Sequence, residues 1–541
     1  MPTLTWTGKE DALRAASLVP FRLLEPHTAA EGGIVGDPKA AQDNLLIQGD
    51  NLEALKALLP YFAGRVKCIY IDPPYNTGSA FEHYDDNLEH STWLSMMYPR
   101  LELLRELLAE DGSIWVNLDD NESHYLKVML DEVLGRRLFV SNVIWEKSDS
   151  PRNSARQFSS DHDHILVYSK TTDWQPVKLP RTEEANSIYS NPDDDPRGAW
   201  IPGDPYANKP YSKGLYSIKG PTRREFSPPP GRYWRISEDK LRELDEDGRI
   251  WWGPKGDARP SIKRYLNEVS DLVPRTIWKK EDVGSNRTSK NEMRALFPDE
   301  ASFGTPKPEA LIMRILHIST KPGDLVLDSF LGSGTTAAVA HKMGRRWLGV
   351  EMGDHAVTHC LPRLQKVIDG EQGGISEAVG WKGGGGFRFV KLGETLFDAF
   401  GRLNPKVMFA DLAAFVWWRE TKAPAIGGSN ESTSPFLGIH EGRGLYLLYN
   451  GILGDKRPKG GNVLTPAVLA SLPKHDGPRI IYAEATTYSP PSLARMNITF
   501  KQIPYDLGSM PLLAEGALEY AAGLMPEAPR AQGAGEEGEH V

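Results

Sequence analysis

The chain has 541 residues and a mass of 60.1 kDa, so several units of ~150 residues each are expected rather than one core. Hydrophobic residues make up 40 % and charged residues 25 %, the balance of ordinary globular domains rather than of disorder. A net charge of -9, from 63 Lys+Arg against 72 Asp+Glu, excludes a small basic nucleic-acid-binding module but not a large enzyme with one basic face.

The N-terminal MPTLTWTGKEDALR lacks a basic stretch followed by an apolar one, so no secretory signal is expected. Residues 1–40 carry Pro, Gly and Ala without a sustained period and read as an arm. Residues 44–50 (NLLIQGD) then suggest a buried strand, 51–62 a helix capped near Asn51, and 66–72 a second strand stopped by Pro73-Pro74. The pattern continues with a helix over 91–110 capped by Asp111-Gly112, a strand over 113–118, a helix over 121–134 and strands at 140–145 and 165–168. Such alternation predicts an α/β domain with a parallel sheet.

From 181 to 304 the alternation stops, and Pro-rich pieces such as Ser227-Pro-Pro-Pro230 carry many aromatics. Between Tyr206 and Lys280 about 17 Lys+Arg face about 10 Asp+Glu, a local basic surplus in an acidic chain. The α/β pattern resumes with a helix over 308–320, a strand at 325–328, a Gly-rich turn, a helix over 335–343 and a strand over 346–351. Gly383 to Gly386 reads as a hinge, residues 396–526 as a further α/β unit, and 527–541 as a solvated tail. The longest apolar run, Val407 to Trp418, is shorter than the ~20 residues of a spanning helix and includes Asp411, so no membrane association is expected.

Asp72-Pro73-Pro74-Tyr75 closes a buried strand, where open parallel sheets bind ligands. Asp72 and the Pro73 carbonyl can accept both N–H bonds of an exocyclic amine and draw its lone pair out of conjugation. Pro74 fixes the turn and cannot donate a competing N–H. Tyr75 offers a face on which an extruded base can stack. The same tetrapeptide also makes a plain strand terminator.

A second site, Asp328-Ser-Phe-Leu-Gly-Ser-Gly-Thr-Thr336, joins a strand to a helix through Gly332 and Gly334. Thr335, not Lys, follows the second glycine, so it is no phosphate-binding P-loop. Glu351, ending the next strand, is placed for ribose hydroxyls, and Asp50 for an adenine edge. Phe330 is as readily core as cofactor-facing. The set suits a nucleoside without phosphate, such as S-adenosyl-L-methionine.

Together, the two motifs resemble the DPPY and FxGxG motifs of DNA amino-methyltransferases, in the order of the β class. Wider stretches (Leu46–Asn51, Ile69–Gly78, Asn191–Gly198, Thr305–Pro308) are similar to the modification (Mod) subunits of type III restriction-modification systems. The resemblance implies a Rossmann-like, circularly permuted methyltransferase fold with an inserted target-recognition domain and a C-terminal α/β accessory domain. Its units are 1–40, 41–180 (DPPY half), 181–304 (recognition), 305–395 (FxGxG half), 396–526 and the 527–541 tail.

It further implies N6-adenine methylation of duplex DNA by base flipping, with S-adenosyl-L-methionine as cofactor and no metal. Catalysis would rest on Asp72, Pro73, Pro74 and Tyr75, and cofactor binding on Asp50, Asp328, Phe330, Gly332, Gly334, Thr335 and Glu351. A separate helicase-nuclease subunit and a homodimer are the implied protein partners. Cytosine N4, RNA or a protein amide remain alternative substrates, and a recognition subunit with vestigial catalysis a rival class.

In the basic segment, Arg223, Arg224, Arg232, Arg235, Lys263, Arg264, Lys279 and Lys280 are candidate DNA contacts. Cys68 and Cys360 form no disulfide framework and suit a reducing cytoplasm, Cys68 reading as core. His162 and His164 in Asp161-His-Asp-His164 have a ligand-like spacing, but no further ligand is expected nearby, which favours a polar loop near the base pocket over a metal site. Asn117, Asp119 and Asp120 end a strand at the expected rim and read equally as binding or helix-capping residues.

Overall fold

Aliphatic and β-branched runs bounded by Gly, Pro or Asp assemble into one large sheet. The computed structural model describes residues 3–76, 89–151, 155–298, 305–398, 400–425, 434–449 and 461–507. The sheet comprises β1 (Arg22–Pro26), β2 (Ile34–Gly36), β3 (Leu45–Gln48), β4 (Val66–Ile71), β5 (Leu108–Leu118), β6 (Phe139–Glu146), β7 (His162–Ser169), β8 (Ile277–Trp278), β9 (Leu325–Asp328), β10 (Arg346–Glu351) and β11 (Gly386–Thr395). Its order is β1-β11-β3-β10-β9-β4-β5-β7-β6-β8, with β2 paired to β11. Neighbours from β11 through β5 run parallel, and β7 is antiparallel to both β5 and β6.

Eight helices position this sheet and its edges: α1 (Lys9–Leu18), α2 (Asn51–Phe62), α3 (His90–Leu107), α4 (Ser123–Leu130), α5 (Glu309–Ser319), α6 (Thr335–Lys342), α7 (Leu361–Ile368) and α8 (Phe409–Thr421). β4 and β9 lie side by side although about 250 residues separate them. From β4 the chain passes through α3 to β5 on one side, and from β9 through α6 to β10 on the other. Their carboxyl ends therefore flank a topological switch point, where such sheets open a ligand crevice.

Several expectations change. Residues 9–26 are not an irregular arm: α1 buries Ala12 and Ala16, and β1 pairs with β11. Asp111-Gly112 does not cap a helix. α3 stops at Leu107, and β5 carries a bulge there, with Val66 opposite Leu108 but Cys68 opposite Ser113. A Cβ on Gly112 would stand 2.9 Å from the Val66 carbonyl, so the missing side chain serves close strand approach. Gly386 opens β11 rather than a hinge, and a Cβ there would meet the Val35 and Asp37 carbonyls at 2.7 Å. His162 and His164 lie on β7, not in a loop.

The C-terminal region forms a sheet β12-β13-β14-β15 from Phe436–His440, Arg443–Leu447, Arg479–Ala483 and Ile498–Gln502. It is not a detached domain, since α8 buries Leu412, Phe415 and Val416 in the same core as α2 and α3. The Tyr61 hydroxyl of α2 donates to Asp411 of α8 at 2.9 Å. The second compact unit is Pro176–Pro274, smaller than the expected 181–304 segment because residues from Arg275 return to the first. Its core is Tyr206, Ile218, Phe226, Trp234, Leu241, Ile250 and Trp252. Several aromatics of the basic segment are thus the unit's interior and not a stacking surface. On the first unit, Trp115 of β5 stacks on Trp278 at 6.2 Å and meets Trp174 edge-on at 6.5 Å. No helix among the described residues is long and apolar enough to cross a membrane.

Candidate active site

β4 is buried along nearly its whole length and delivers Asp72 to the crevice. The turn after it is fixed from α3, where Trp93 donates its indole N–H to the Pro74 carbonyl at 2.8 Å. Asp72 Oδ2 accepts from Lys307 Nζ, while its Oδ1 is buried without a hydrogen-bond partner. Burial pushes the Asp72 carboxyl up and Lys307 pulls it partly back, with Asp163 adding to the upward push. Lys307 also sits over the Tyr75 ring, 5.1 Å from its centre. Lys307 falls within the Thr305–Pro308 family stretch, where sequence alone assigns it no role. Its contact with Asp72 joins residues 235 positions apart, which no local pattern reveals.

Tyr75 is held by its hydroxyl. It donates to Asp163 Oδ2 at 2.9 Å and accepts from the Asn117 amide, which also reaches Asp163 at 3.2 Å. Lys147 Nζ pairs with the other Asp163 oxygen at 2.5 Å. Asn117 thus acts as a binding residue inside the protein, whereas Asp119 accepts the Asn121 N–H at 3.0 Å as a turn cap. Asp163 and Lys147 were missed by the sequence reading. The signal for Asp163 was present: in a strand, its side chain must oppose those of His162 and His164.

On the β9 side, Asp328 is buried, with its carboxylate accepting from Phe330 N at 2.9 Å and Thr336 Oγ1 at 2.6 Å. Burial raises its carboxyl to about 7, with Asp72 and Glu351 contributing repulsion. Gly332 and Gly334 adopt φ of 56° and 81°, a region costly for other residues. The Gly332 N–H donates to Glu351 Oε2 at 2.7 Å, and Cys360 Sγ donates to the Gly332 carbonyl at 3.1 Å. Thr335 accepts from Arg363 at 2.8 Å, and Ser329 Oγ is buried without a partner. Phe330 is half-buried against the main core.

Asp50 is engaged within the protein. It caps α2 through Leu52 N at 2.8 Å and Glu53 N at 3.3 Å, and pairs with buried Arg100 at 2.8 Å. Asn51 ties the start of α2 to the β9 turn by donating to the Ser329 carbonyl at 2.7 Å. The structure therefore brings Asp72 and Tyr75 to the ends of β4, and Asp328, Phe330, Gly332, Gly334, Thr335 and Glu351 around the β9–α6 turn beside it.

The basic candidates separate. Lys263 is 6 % exposed and bonded to Asp193 at 2.5 Å and Asp195 at 2.7 Å, so it is an interior ion pair and not a phosphate contact. Arg232 pairs with Asp204 at 2.5 Å, and Lys280 with Glu146 at 2.7 Å. Arg223, Arg224, Arg235, Arg264 and Lys279 are exposed. Lys279 and Lys280 belong to the first unit and the other six to the second.

A third candidate ligand does stand near His162 and His164 in space, because the fold brings Asp120 to them. His164 Nε2 is 2.8 Å from Asp120 Oδ1.

Similar curated proteins include the "Probable type III restriction-modification enzyme HindVI Mod subunit" of Haemophilus influenzae, 33 % identical over 69 % of this chain and 57 % of that protein. The type III restriction-modification enzyme StyLTI Mod subunit of Salmonella typhimurium is 35 % identical over 54 % of this chain and 49 % of that one. The chain thus spans about half the length of these curated relatives. Among solved structures, the PvuII DNA methyltransferase (cytosine-N4-specific) overlays with a TM-score of 0.34 at 16 % identity, over 60 % of this chain and 87 % of that one. The N6_N4_Mtase family model, described as DNA methylase, matches residues 66–361. That span contains both Asp72-Pro73-Pro74-Tyr75 and the β9–α6 turn, and the chain belongs to the N6/N4 DNA methylase family.

Proposed function

We propose that this protein methylates the N6 amino group of adenine in duplex DNA, using S-adenosyl-L-methionine. The observation carrying the reading is Asp72 at the switch point, with Oδ2 fixed by Lys307 and Oδ1 buried and unpartnered. A buried carboxylate oxygen without a donor is costly unless a ligand supplies one. The amino group of a flipped base does so, with the Pro73 carbonyl taking its second N–H. Together they draw the nitrogen lone pair toward tetrahedral geometry. Tyr75 supplies the stacking face. Lys307 and the Asp163–Asn117 pair keep acceptor and ring in register, so catalysis is mainly orientation and electrostatics.

The β9–α6 turn fits the cofactor. Its backbone permits close approach at Gly332 and Gly334, and the unpartnered Ser329 hydroxyl offers a further polar contact. Asp72, Asp328 and Glu351 are close enough to repel, and a ligand bearing positive charge relieves that repulsion. Glu351 would hold the ribose, Asp50 would stand at the adenine edge, and Phe330 and Thr335 would border the site. Bound there, S-adenosyl-L-methionine supplies an electrophilic methyl group. Arg223, Arg224, Arg235, Arg264 and Lys279 are the residues we assign to DNA phosphates and base edges.

The names of the relatives support a place in a restriction-modification system; a separate helicase-nuclease subunit and a second copy of this chain would be the protein partners. The deciding experiment is modification-sensitive sequencing of DNA exposed to the wild type or to Asp72→Ala. One recurrent methyladenine motif is expected with the wild type and none with the variant, which should still bind S-adenosyl-L-methionine. N4-methylcytosine would move the substrate to cytosine, and methyl transfer by the variant would refute the role of Asp72.

A further inference from the structure

β7 carries a second constellation on the face opposite Asp163. His162 and His164 are two residues apart on one strand face, and their ring centres are 5.1 Å apart. Asp120, at the turn after β5, completes the group, and one ligand atom from each residue lies within 4.8 Å of the others. Two imidazoles and one carboxylate converging this way form a facial donor set suited to borderline divalent metals.

The geometry needs little adjustment. A tetrahedral zinc ion with bonds of ~2.0–2.1 Å holds its donor atoms ~3.3 Å apart, and Asp120 and His164 already stand at 2.8 Å. His164 is the fixed member, its side chain 10 % exposed, while the Asp120 side chain is 58 % exposed and can follow. Asn142 Nδ2 lies 2.9 Å from His164 Nδ1, and Asn142 Oδ1 is buried without a partner. Turning that amide over sacrifices no bond at Oδ1 and lets it accept an Nδ1–H. The Nε2 lone pair is then directed at the metal, the outer arrangement typical of histidine ligands. A cavity of about 620 Å³, lined by Asp120, Arg156, Phe158 and His162 among others, adjoins the group. It gives solvent access to an open coordination position. His124 reaches Asp120 Oδ1 at 3.7 Å and stands beside the three.

We propose that Asp120, His162 and His164 bind a divalent cation of the zinc type, with water in the remaining position. The ion ties the turn after β5 to β7, the strand whose opposite face carries Asp163 and thereby supports Tyr75. Its role is to stiffen this edge of the crevice.

The test uses the full chain without a histidine tag, stripped with chelator and dialysed. Calorimetric titration with Zn²⁺ should give one equivalent bound, and Co²⁺ should produce visible absorption bands. Loss of an outer-shell partner typically costs ~10–100-fold in affinity, so Asp120→Asn and His162→Ala should each cost more than about 100-fold. Both should abolish the cobalt bands, and His475→Ala should change neither readout. Should a variant fail to fold, mass spectrometry of diethylpyrocarbonate labelling on the wild type decides instead: Zn²⁺ must protect His162 and His164. Stoichiometric binding lost in the two variants, or that protection, supports the site. Zinc bound no more tightly by the wild type than by Asp120→Asn, or histidines labelled equally with and without it, overturns it.

Discussion

Replacing Asp328 by Asn isolates the cost of a buried carboxylate held among others. Its carboxyl is moved from an ordinary 3.8 to about 7 by burial and by repulsion from Asp72 and Glu351. At about 1.4 kcal/mol per unit, ionising Asp328 costs the folded protein about 4 kcal/mol. The sign follows from proton binding. Between pH 4 and 7 the folded state holds the Asp328 proton more tightly than the unfolded chain, so this contribution to stability falls as pH rises and levels off above about 7. Asn is isosteric, does not ionise, and its amide oxygen can still accept from Phe330 N. Denaturant unfolding of wild type and Asp328→Asn at pH 5, 7 and 8.5 should show a gap that widens with pH, toward about 4 kcal/mol in favour of the variant. S-adenosyl-L-methionine affinity should rise in the wild type as pH climbs through 7, because the cationic ligand favours the ionised carboxylate. The variant should bind it more weakly and without that slope. A gap independent of pH, or a cofactor affinity flat across this range, would refute the reasoning.

Three further outcomes are expected. Lys307→Met leaves burial and Asp163 pushing Asp72 upward against Tyr75 alone, so the acidic limb of the methyl-transfer pH profile should move to higher pH; an unmoved limb at wild-type rate would disprove the pairing's role. Tyr75→Phe keeps the ring but strips Asn117 and Asp163 of a partner, costing about 1–3 kcal/mol of stability, whereas Tyr75→Ala should lose far more methyl transfer; equal rates in the two variants would rule out stacking. Lys263→Met removes the cation shared by Asp193 and Asp195 in the second unit, leaving the buried Asp195 with Arg197 and Tyr265, and should destabilise it by about 1–3 kcal/mol. The salt dependence of DNA binding by folded protein should not change, and a shallower salt slope would return Lys263 to the DNA surface.

The parts legible in the sequence are those written within short windows. β4, β9 and β10 are apolar runs ending in Asp72, Asp328 and Glu351, and the glycines between β9 and α6 mark the turn without any fold. Pairings set by topology were not legible. Lys307 meets Asp72 and Asp120 meets His164 only because the sheet places β9 beside β4 and β5 beside β7, and Arg100 meets Asp50 only because α3 packs on α2. Composition also misled at Lys263, which counts as a basic residue but is consumed by Asp193 and the buried Asp195. Residues 9–26 were misread because the burial of α1 and β1 depends on partners, α3 and β11, remote in sequence. The expected 527–541 tail, with Thr77 and Gly78 of the family stretch, lies outside the described residues.

The packing of Trp174 and Trp278 against the same indole, Trp115, bears on how recognition could diversify. The chain leaves the catalytic unit and re-enters it at neighbouring points, so everything between is an excursion whose ends are already close. An exchange of residues 176–274 for another self-contained unit with similarly close ends would leave every strand of the large sheet, and both halves of the crevice, in their own register. On the proposed function, chemistry and target choice would in that sense be separately inheritable: a new recognition sequence would be acquired by recombination at two adjacent junctions without rebuilding the crevice that holds Asp72.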